Sequence, residues 1–184
     1  MNRLTQSEQL KAQLAVLRVR EETAATLVER SAATEARLSL ANGPVPADRW
    51  RNAGQTTAEA AFETALWAAA NGDLDALVGL LVFDSAARQE ADALFARLPP
   101  AARREMATPE KMIAALTAMD VPLGQATITR QQDGSDSTTI TARLSDATGH
   151  TSVALFSLTS EGGHWQLRVP ASVVRKYAAT WDQK

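Results

Sequence analysis

The chain contains no cysteine, which excludes disulfides, thiolate zinc sites, iron–sulfur clusters and a thiol nucleophile. It has no apolar run near the ~18 residues a helix needs to cross a bilayer. The opening Met1-Asn2-Arg3-Leu4-Thr5-Gln6 leads into polar, charged residues in place of an apolar secretory core, so the expected location is cytoplasmic, with a periplasmic or tethered context only if further sequence precedes Met1. Basic charge is not in excess either. Nineteen Lys and Arg against 21 Asp and Glu leave a net charge of -2, which argues against a broad nucleic-acid footprint and leaves nucleic acid off the expected partners. There is no nucleophile-elbow pattern, Walker loop, Gly-rich dinucleotide loop or His-Glu-x-x-His pair. No cofactor and no metal are expected. What is present is 184 residues, 45% of them hydrophobic and 22% charged, enough for one globular domain with an attachment.

From Leu4 to Leu40 the chain is free of Gly and Pro and rich in Ala, Leu, Glu, Gln and Arg, which predicts a long helix. Leu10, Leu14, Leu17, Ala24, Val28 and Leu38 make a thin stripe, interrupted by Glu21, Ser31 and Glu35, so the heptad breaks after Leu17. A coiled-coil dimer or spacer and a single solvated helix both fit this segment, residues 1–42. Asn42-Gly43-Pro44-Val45-Pro46 ends it, since Gly takes a left-handed terminus and the prolines deny further helical hydrogen bonds. Residues 43–55 read as a linker or docking segment, with Trp50 packed on the main domain.

The main domain is expected over residues 56–184. Thr56-Thr57-Ala58-Glu59 has capping-box spacing for a helix carrying Phe62, Leu66 and Ala69. Asn71-Gly72-Asp73 closes that helix and caps the next, whose buried side is Leu74, Leu77, Val78 and Leu81. Asp84-Ser85 caps a third helix that stops at Pro99-Pro100. After a short turn around residues 101–106, Thr108-Pro109-Glu110 starts a fourth. Past Gly124 the period falls from about 3.6 to 2. Four strands follow, separated by turns at Asp133-Gly134-Ser135-Asp136, Asp146-Ala147-Thr148-Gly149 and Glu161-Gly162-Gly163. In the first, Ala126, Ile128 and Arg130 share a face. The third, Ser152 to Leu158, is apolar on both sides, as a strand covered on both faces is. A last helix follows Pro170, from Val173 to about Trp181. The expected class is α+β: helices first, then an antiparallel meander of about four strands packed on them.

Residues 57–77, with the helix–Gly72-Asp73–helix corner, resemble the opening of the nuclear-transport-factor-like superfamily, which includes ketosteroid isomerase and the SnoaL-like cyclases. The closing Gly163-His164-Trp165-Gln166-Leu167 resembles its final Gly-X-Trp-X-hydrophobic strand. Together these span about Thr56 to Val169. The resemblance implies a cone of curved sheet around helices with a cavity at its open end, in a superfamily where many members bind ligands or dimerise. The chain departs from the simplest pattern by inserting helical sequence from Asp84 to Met119. It also resembles bacterial domains that follow a membrane anchor and a coiled coil.

An isomerase of that superfamily needs a carboxylate base facing a Tyr or protonated Asp across an apolar cavity, because enolate charge must be held away from water. The family's Tyr lies about two turns before the Gly-Asp corner, where this chain has Ala65, Leu66 and Trp67. Its single Tyr, Tyr177, falls in the last helix. No residue is therefore assigned a catalytic role. The cavity-lining candidates are Phe62, Trp67, Phe156 and Trp165. Asp84 and His150 are the polar pocket candidates, with His164 beside them, although Asp84 also suits a helix cap and both His suit exposed strand starts. The expected function is a non-enzymatic interaction or small-ligand-sensing domain, a homodimer formed through its sheet or its N-terminal helix and taking a small apolar ligand or a protein partner. The alternative is an isomerase, cyclase or dehydratase acting on a small apolar substrate in the cone.

Overall fold

The computed structural model describes residues 39–181. The expected long helix and its coiled coil thus lie outside the described residues, except for their end. Among the described residues the order is β1 (Val45–Pro46), a 3-10 turn (Ala47–Arg49), α1 (Ala58–Asn71), α2 (Leu74–Leu80), β2 (Leu81–Phe83), α3 (Ser85–Ala96), α4 (Pro100–Met106), α5 (Pro109–Asp120), β3 (Gln125–Asp133), β4 (Ser137–Ser145), β5 (Thr151–Glu161), β6 (His164–Val169) and α6 (Ala171–Trp181). This is an α+β domain. Six helices accompany one six-stranded sheet in the order β1-β3-β4-β5-β6-β2, curled into a half-barrel.

Local chemistry sets most of the helix boundaries. Thr57, Asp73, Asp84 and Thr108 each accept, through a side-chain oxygen, the backbone N–H three residues on, which satisfies a donor that a helix start otherwise leaves open. The first cap is one residue later than the capping-box spacing implies: Thr57 bonds the N–H of Ala60, so Glu59 falls short of the reciprocal position. At the corner between α1 and α2, Gly72 takes a left-handed conformation with φ 67°, which a side chain would resist. Residues 100–106 form a helical segment, α4, in place of the expected turn. Pro100 at its start has no N–H to lose to the helix.

The four-strand meander β3–β6 is present, but the sheet is mixed. Short β2 runs parallel to β6, with Leu81 opposite Leu167 and Phe83 opposite Val169. Its three residues follow α2 directly, and the first of them, Leu81, is expected from sequence on the buried side of that helix, because a short apolar run carries no period that separates helix from strand. At the other edge β1 pairs antiparallel with β3, Val45 opposite Ala126. The segment expected as a linker is therefore built into the domain. Leu40 is fully buried, and its carbonyl accepts the N–H of Ile128 at 2.8 Å and the hydroxyl of Thr127 at 3.2 Å. Trp50 is 5% exposed, and its indole Nε1 donates to the Val45 carbonyl at 3.0 Å. From there the chain reaches β6, where the Trp165 N–H donates to the Gln55 carbonyl at 2.9 Å. Residues 45–55 thus tie one edge strand of the sheet to a strand near the other.

Gly124 marks a tight crossing of these elements. Its N–H donates to the Ser145 carbonyl and its carbonyl accepts from Ala47, both at 2.8 Å. A Cβ there would stand 2.4 Å from the Asp146 carbonyl oxygen, so only glycine fits this join.

The core lies between the helices and the inner sheet face. Ala61, Phe62, Leu77, Leu80 and Ile113 from the helices meet Ile140, Ala142 and Leu158 from the sheet, all at most 1% exposed. Phe62 and Phe156 stack at a tilt with ring centroids 4.8 Å apart. On the outside, Arg88 of α3 pairs with Glu110 of α5 and lies over the Phe83 ring, 5.2 Å from its centroid. Among the described residues no helix is long and apolar enough to cross a membrane.

Candidate functional site

The distinctive surface is the sheet face turned away from the helices. Side chains alternate along a strand, and residues directly opposite on neighbouring strands share a face. Ile140 and Ala142 point into the core, so Thr139, Thr141 and Arg143 point out. Their partners on β5 are Ser157, Leu155 and Val153. The reading of β5 as covered on both sides is corrected here: Leu155 is 72% and Val153 60% exposed. The sequence shows two apolar faces, and among the described residues only one of them meets helices.

A second correction concerns β3. Its register shifts between Ile128 and Arg130, which adds one residue to the strand and turns everything beyond it over. Ile128 faces the core opposite Ala142, while Arg130 stands opposite Thr141 on the outer face. On β6, Leu167 pairs with Leu158 on the inner side, so the adjacent Arg168 points outward. Arg130, Arg143 and Arg168, all exposed, therefore flank an exposed aliphatic pair. Such a surface offers apolar contact ringed by fixed positive charge.

The four cavity-lining candidates separate. Phe62 is 1% exposed and fills the interior against Phe156. Trp165 is half-buried on the same sheet face. Trp67 lines an indentation of about 320 Å³ with Ala47, Asp48, Trp50, Ala70, Asn71 and Leu123. That hollow lies between the 3-10 turn, the end of α1 and the loop before β3.

The polar candidates do not converge. Asp84 is exposed and its Oδ1 caps α3, accepting the Ala87 N–H at 2.7 Å. His150 is exposed in the β4–β5 turn, and its backbone N–H donates to Asp146 Oδ1 at 3.0 Å. The same carboxylate accepts both the hydroxyl and the N–H of Thr148. These bonds, led by the Thr148 hydroxyl, hold the Asp146 carboxyl below its ordinary pKa. His164 is exposed opposite Glu161 at the start of β6. Among the described residues no three His, Asp or Glu side chains gather as metal ligands, and every buried side-chain N or O has a hydrogen-bond partner.

Two groups were missed by sequence reasoning. Glu63, 3% exposed on α1, accepts from Arg51 Nε at 3.1 Å. Beside it the Thr64 hydroxyl stands 3.0 Å from the Gly54 carbonyl and 2.8 Å from the Ala60 carbonyl of its own helix, its one proton shared between them. Together they fasten the 50–55 strap onto α1. The signal was present as Arg51 twelve residues before a helical Glu, but no local period links a strap to a helix. Tyr177 is the other. It packs against α5, with its hydroxyl 3.4 Å from Thr117 Oγ1, while Lys176 reaches Asp120 at 2.7 Å.

Burial raises the Tyr177 pKa, reinforced by the nearby Asp120 carboxylate and opposed by the Thr117 hydrogen bond and by Lys176. A raised phenol pKa means that folding favours the neutral form. That stability is complete below the ordinary value of 10.0 and is lost as pH rises through the folded-state pKa. Because this is the chain's only Tyr, tyrosinate absorbance reports it alone. Its midpoint in the folded protein is expected above 10.0 and is expected to fall to the ordinary value in denaturant; an unchanged midpoint counts against the burial.

Fold and surface define the described residues as an α+β domain whose helices cover one face of a curled mixed sheet. No protein-family model, no curated protein and no solved structure matches it.

Proposed function

We propose that the chain is a non-enzymatic interaction domain of the nuclear-transport-factor-like kind, self-associating as a dimer. The observation that carries the interaction part of this reading is the outward face of β5, where Leu155 is 72% exposed in a strand flanked on both sides. Exposed aliphatic side chains grouped on a regular surface mark contact sites. The helix–Gly72–helix corner, the closing strand through Trp165 and the curl of the sheet support the superfamily assignment. The exposed positions of Asp84, His150 and His164 favour interaction over chemistry in the cone. For the small-ligand-sensing part of the function, the place proposed is the indentation beside Trp67 and Leu123, whose lining also carries Asp48 and Asn71.

The dimer contact is assigned to residues 1–42, whose leucine stripe needs a partner to be stable as a helix. Sedimentation of the full chain at micromolar concentration is expected to return a dimer, and replacement of Leu10, Leu14 and Leu17 by Gln is expected to return a monomer. A full chain that sediments as a monomer at that concentration rejects the dimer.

A further inference from the structure

We infer that the outer face of β3–β6 docks an acidic amphipathic helix of another protein, with Val153 and Leu155 against its apolar stripe and Arg130, Arg143 and Arg168 against its carboxylates. The inference rests on the reading of the chain as an interaction domain and names the partner's chemistry.

Register places the groups. Arg143 stands directly opposite Val153, and Thr141 stands between Arg130 and Leu155. Arg168, next after the Leu167–Leu158 pair, falls one strand over from Leu155. The aliphatic pair is thus bounded by a guanidinium on each neighbouring strand and by a third on β3. None of the three guanidiniums has an ion-pair or hydrogen-bond partner among the described residues. The carboxylate that shares this face, Glu161, lies at the far end of β5. The chain as a whole is acidic, so three unpaired arginines on one small face form a local reversal of sign.

That reversal decides the occupant. A second copy pairing through this face by two-fold symmetry would set the patch against itself. Both copies of Arg130, Arg143 and Arg168 would then share one desolvated interface with the two Glu161 carboxylates to offset them, which leaves an excess of positive charge and is unfavourable. Residues 1–38 carry acidic and basic side chains in near balance, so they do not supply the complement. Single-stranded nucleic acid would find phosphate contacts here, but around Val153 and Leu155 the face presents Thr and Ser, and the ring it does carry, His164, stands at the far end beside Glu161, away from the arginines that would hold the phosphates. A helix is the element that covers a sheet face. One with leucines at i, i+3, i+4 and i+7 and glutamates on both margins matches both the aliphatic pair and the arginines. Arginine also suits this role because its planar fork meets a carboxylate with two parallel hydrogen bonds.

The test uses the full chain and a fluorescent peptide of about 18 residues with that leucine and glutamate pattern, beside the same peptide with lysine in place of glutamate. Anisotropy is expected to show binding of the acidic peptide only, weakening steeply as salt is raised to about 0.5 M, and methyl spectra are expected to show shifts at Val153 and Leu155. Arg143→Glu is expected to lower the affinity about tenfold, Arg143→Lys to recover part of it, and Leu155→Ser to lower it comparably. Leu155→Asp is expected to leave the sedimenting dimer intact. These are exposed positions, so the variants keep the fold, which circular dichroism checks. Equal binding of the lysine peptide overturns the inference. So does binding to phosphatidylserine vesicles or to oligo-dT without binding to the acidic peptide. Loss of the dimer in Leu155→Asp also overturns it, by showing that a second copy holds the face. A dimer that ignores the acidic peptide defeats this inference alone, and a monomer that binds it defeats only the proposed dimer.

Discussion

Phe62→Ala is expected to destabilise the domain by about 3–5 kcal/mol, because it removes a fully buried ring and leaves a cavity that a packed interior closes only in part. Phe62 is 1% exposed, sits in the second turn of α1, and has its ring centroid 4.8 Å from that of Phe156, across the space where a cone would be hollow. For a domain of this size each kcal/mol lowers the melting temperature by about 2–4 °C, so the fall should be on the order of 10 °C. Thermal melting followed by circular dichroism reads it directly. A loss under about 1 kcal/mol would mean that the interior around Phe156 is not close-packed. The same variant bears on ligand sensing: the wild-type ring occupies the inner position that a cone ligand would need, and the observed hollow lies elsewhere, at Trp50 and Trp67.

The second large effect is expected at the strap. Arg51→Ala leaves the Glu63 carboxylate, with its side chain 4% exposed, without the guanidinium that it now meets at 3.1 Å. Breaking a fully buried pair from one side costs about 3–5 kcal/mol. Arg51 is 41% exposed, so water screens part of the interaction and the expected cost falls to about 2 kcal/mol. Denaturant melts of Arg51→Ala, Glu63→Leu and the double variant separate the causes. The double variant is expected to be more stable than Arg51→Ala alone, since the stranded charge is then gone. If the two single losses simply add, the pair is not coupled and the strap is held by Trp50 and by the Thr64–Gly54 hydrogen bond instead.

Sequence pattern reached far into this fold where the relevant physics is local. A Thr or Asp followed by free N–H groups caps a helix wherever it stands, which is why Asp73, Asp84 and Thr108 mark true starts. The change from a period of 3.6 to one of 2 at Gly124 located the sheet, and three turn sequences divided it into strands. Legibility ended where the partner lies far along the chain. Leu81–Phe83 became a parallel edge strand because β6, more than eighty residues later, offers it hydrogen bonds. Val45 likewise became an edge strand, antiparallel to β3 and about eighty residues before it. The added residue at Thr129 was invisible to alternation alone, and it carries Arg130 across the sheet to the face where Arg143 and Arg168 stand.

The candidate site shows the same division. Asp84 and His150 carry side chains suited to chemistry, but chemistry needs convergence, and each is exposed on a separate element. The aliphatic and basic residues of the outer face belong to four strands, and no one strand displays the group. The order of residues therefore determined the α+β class, the caps, the corner at Gly72 and the apolar character of both sides of β5, because each follows from neighbours a few positions apart. Tertiary structure alone decided which side of β5 the helices cover, which arginines gather on the other, and that Glu63 is buried against Arg51, because burial and pairing are settled by surfaces that meet only once the chain has folded.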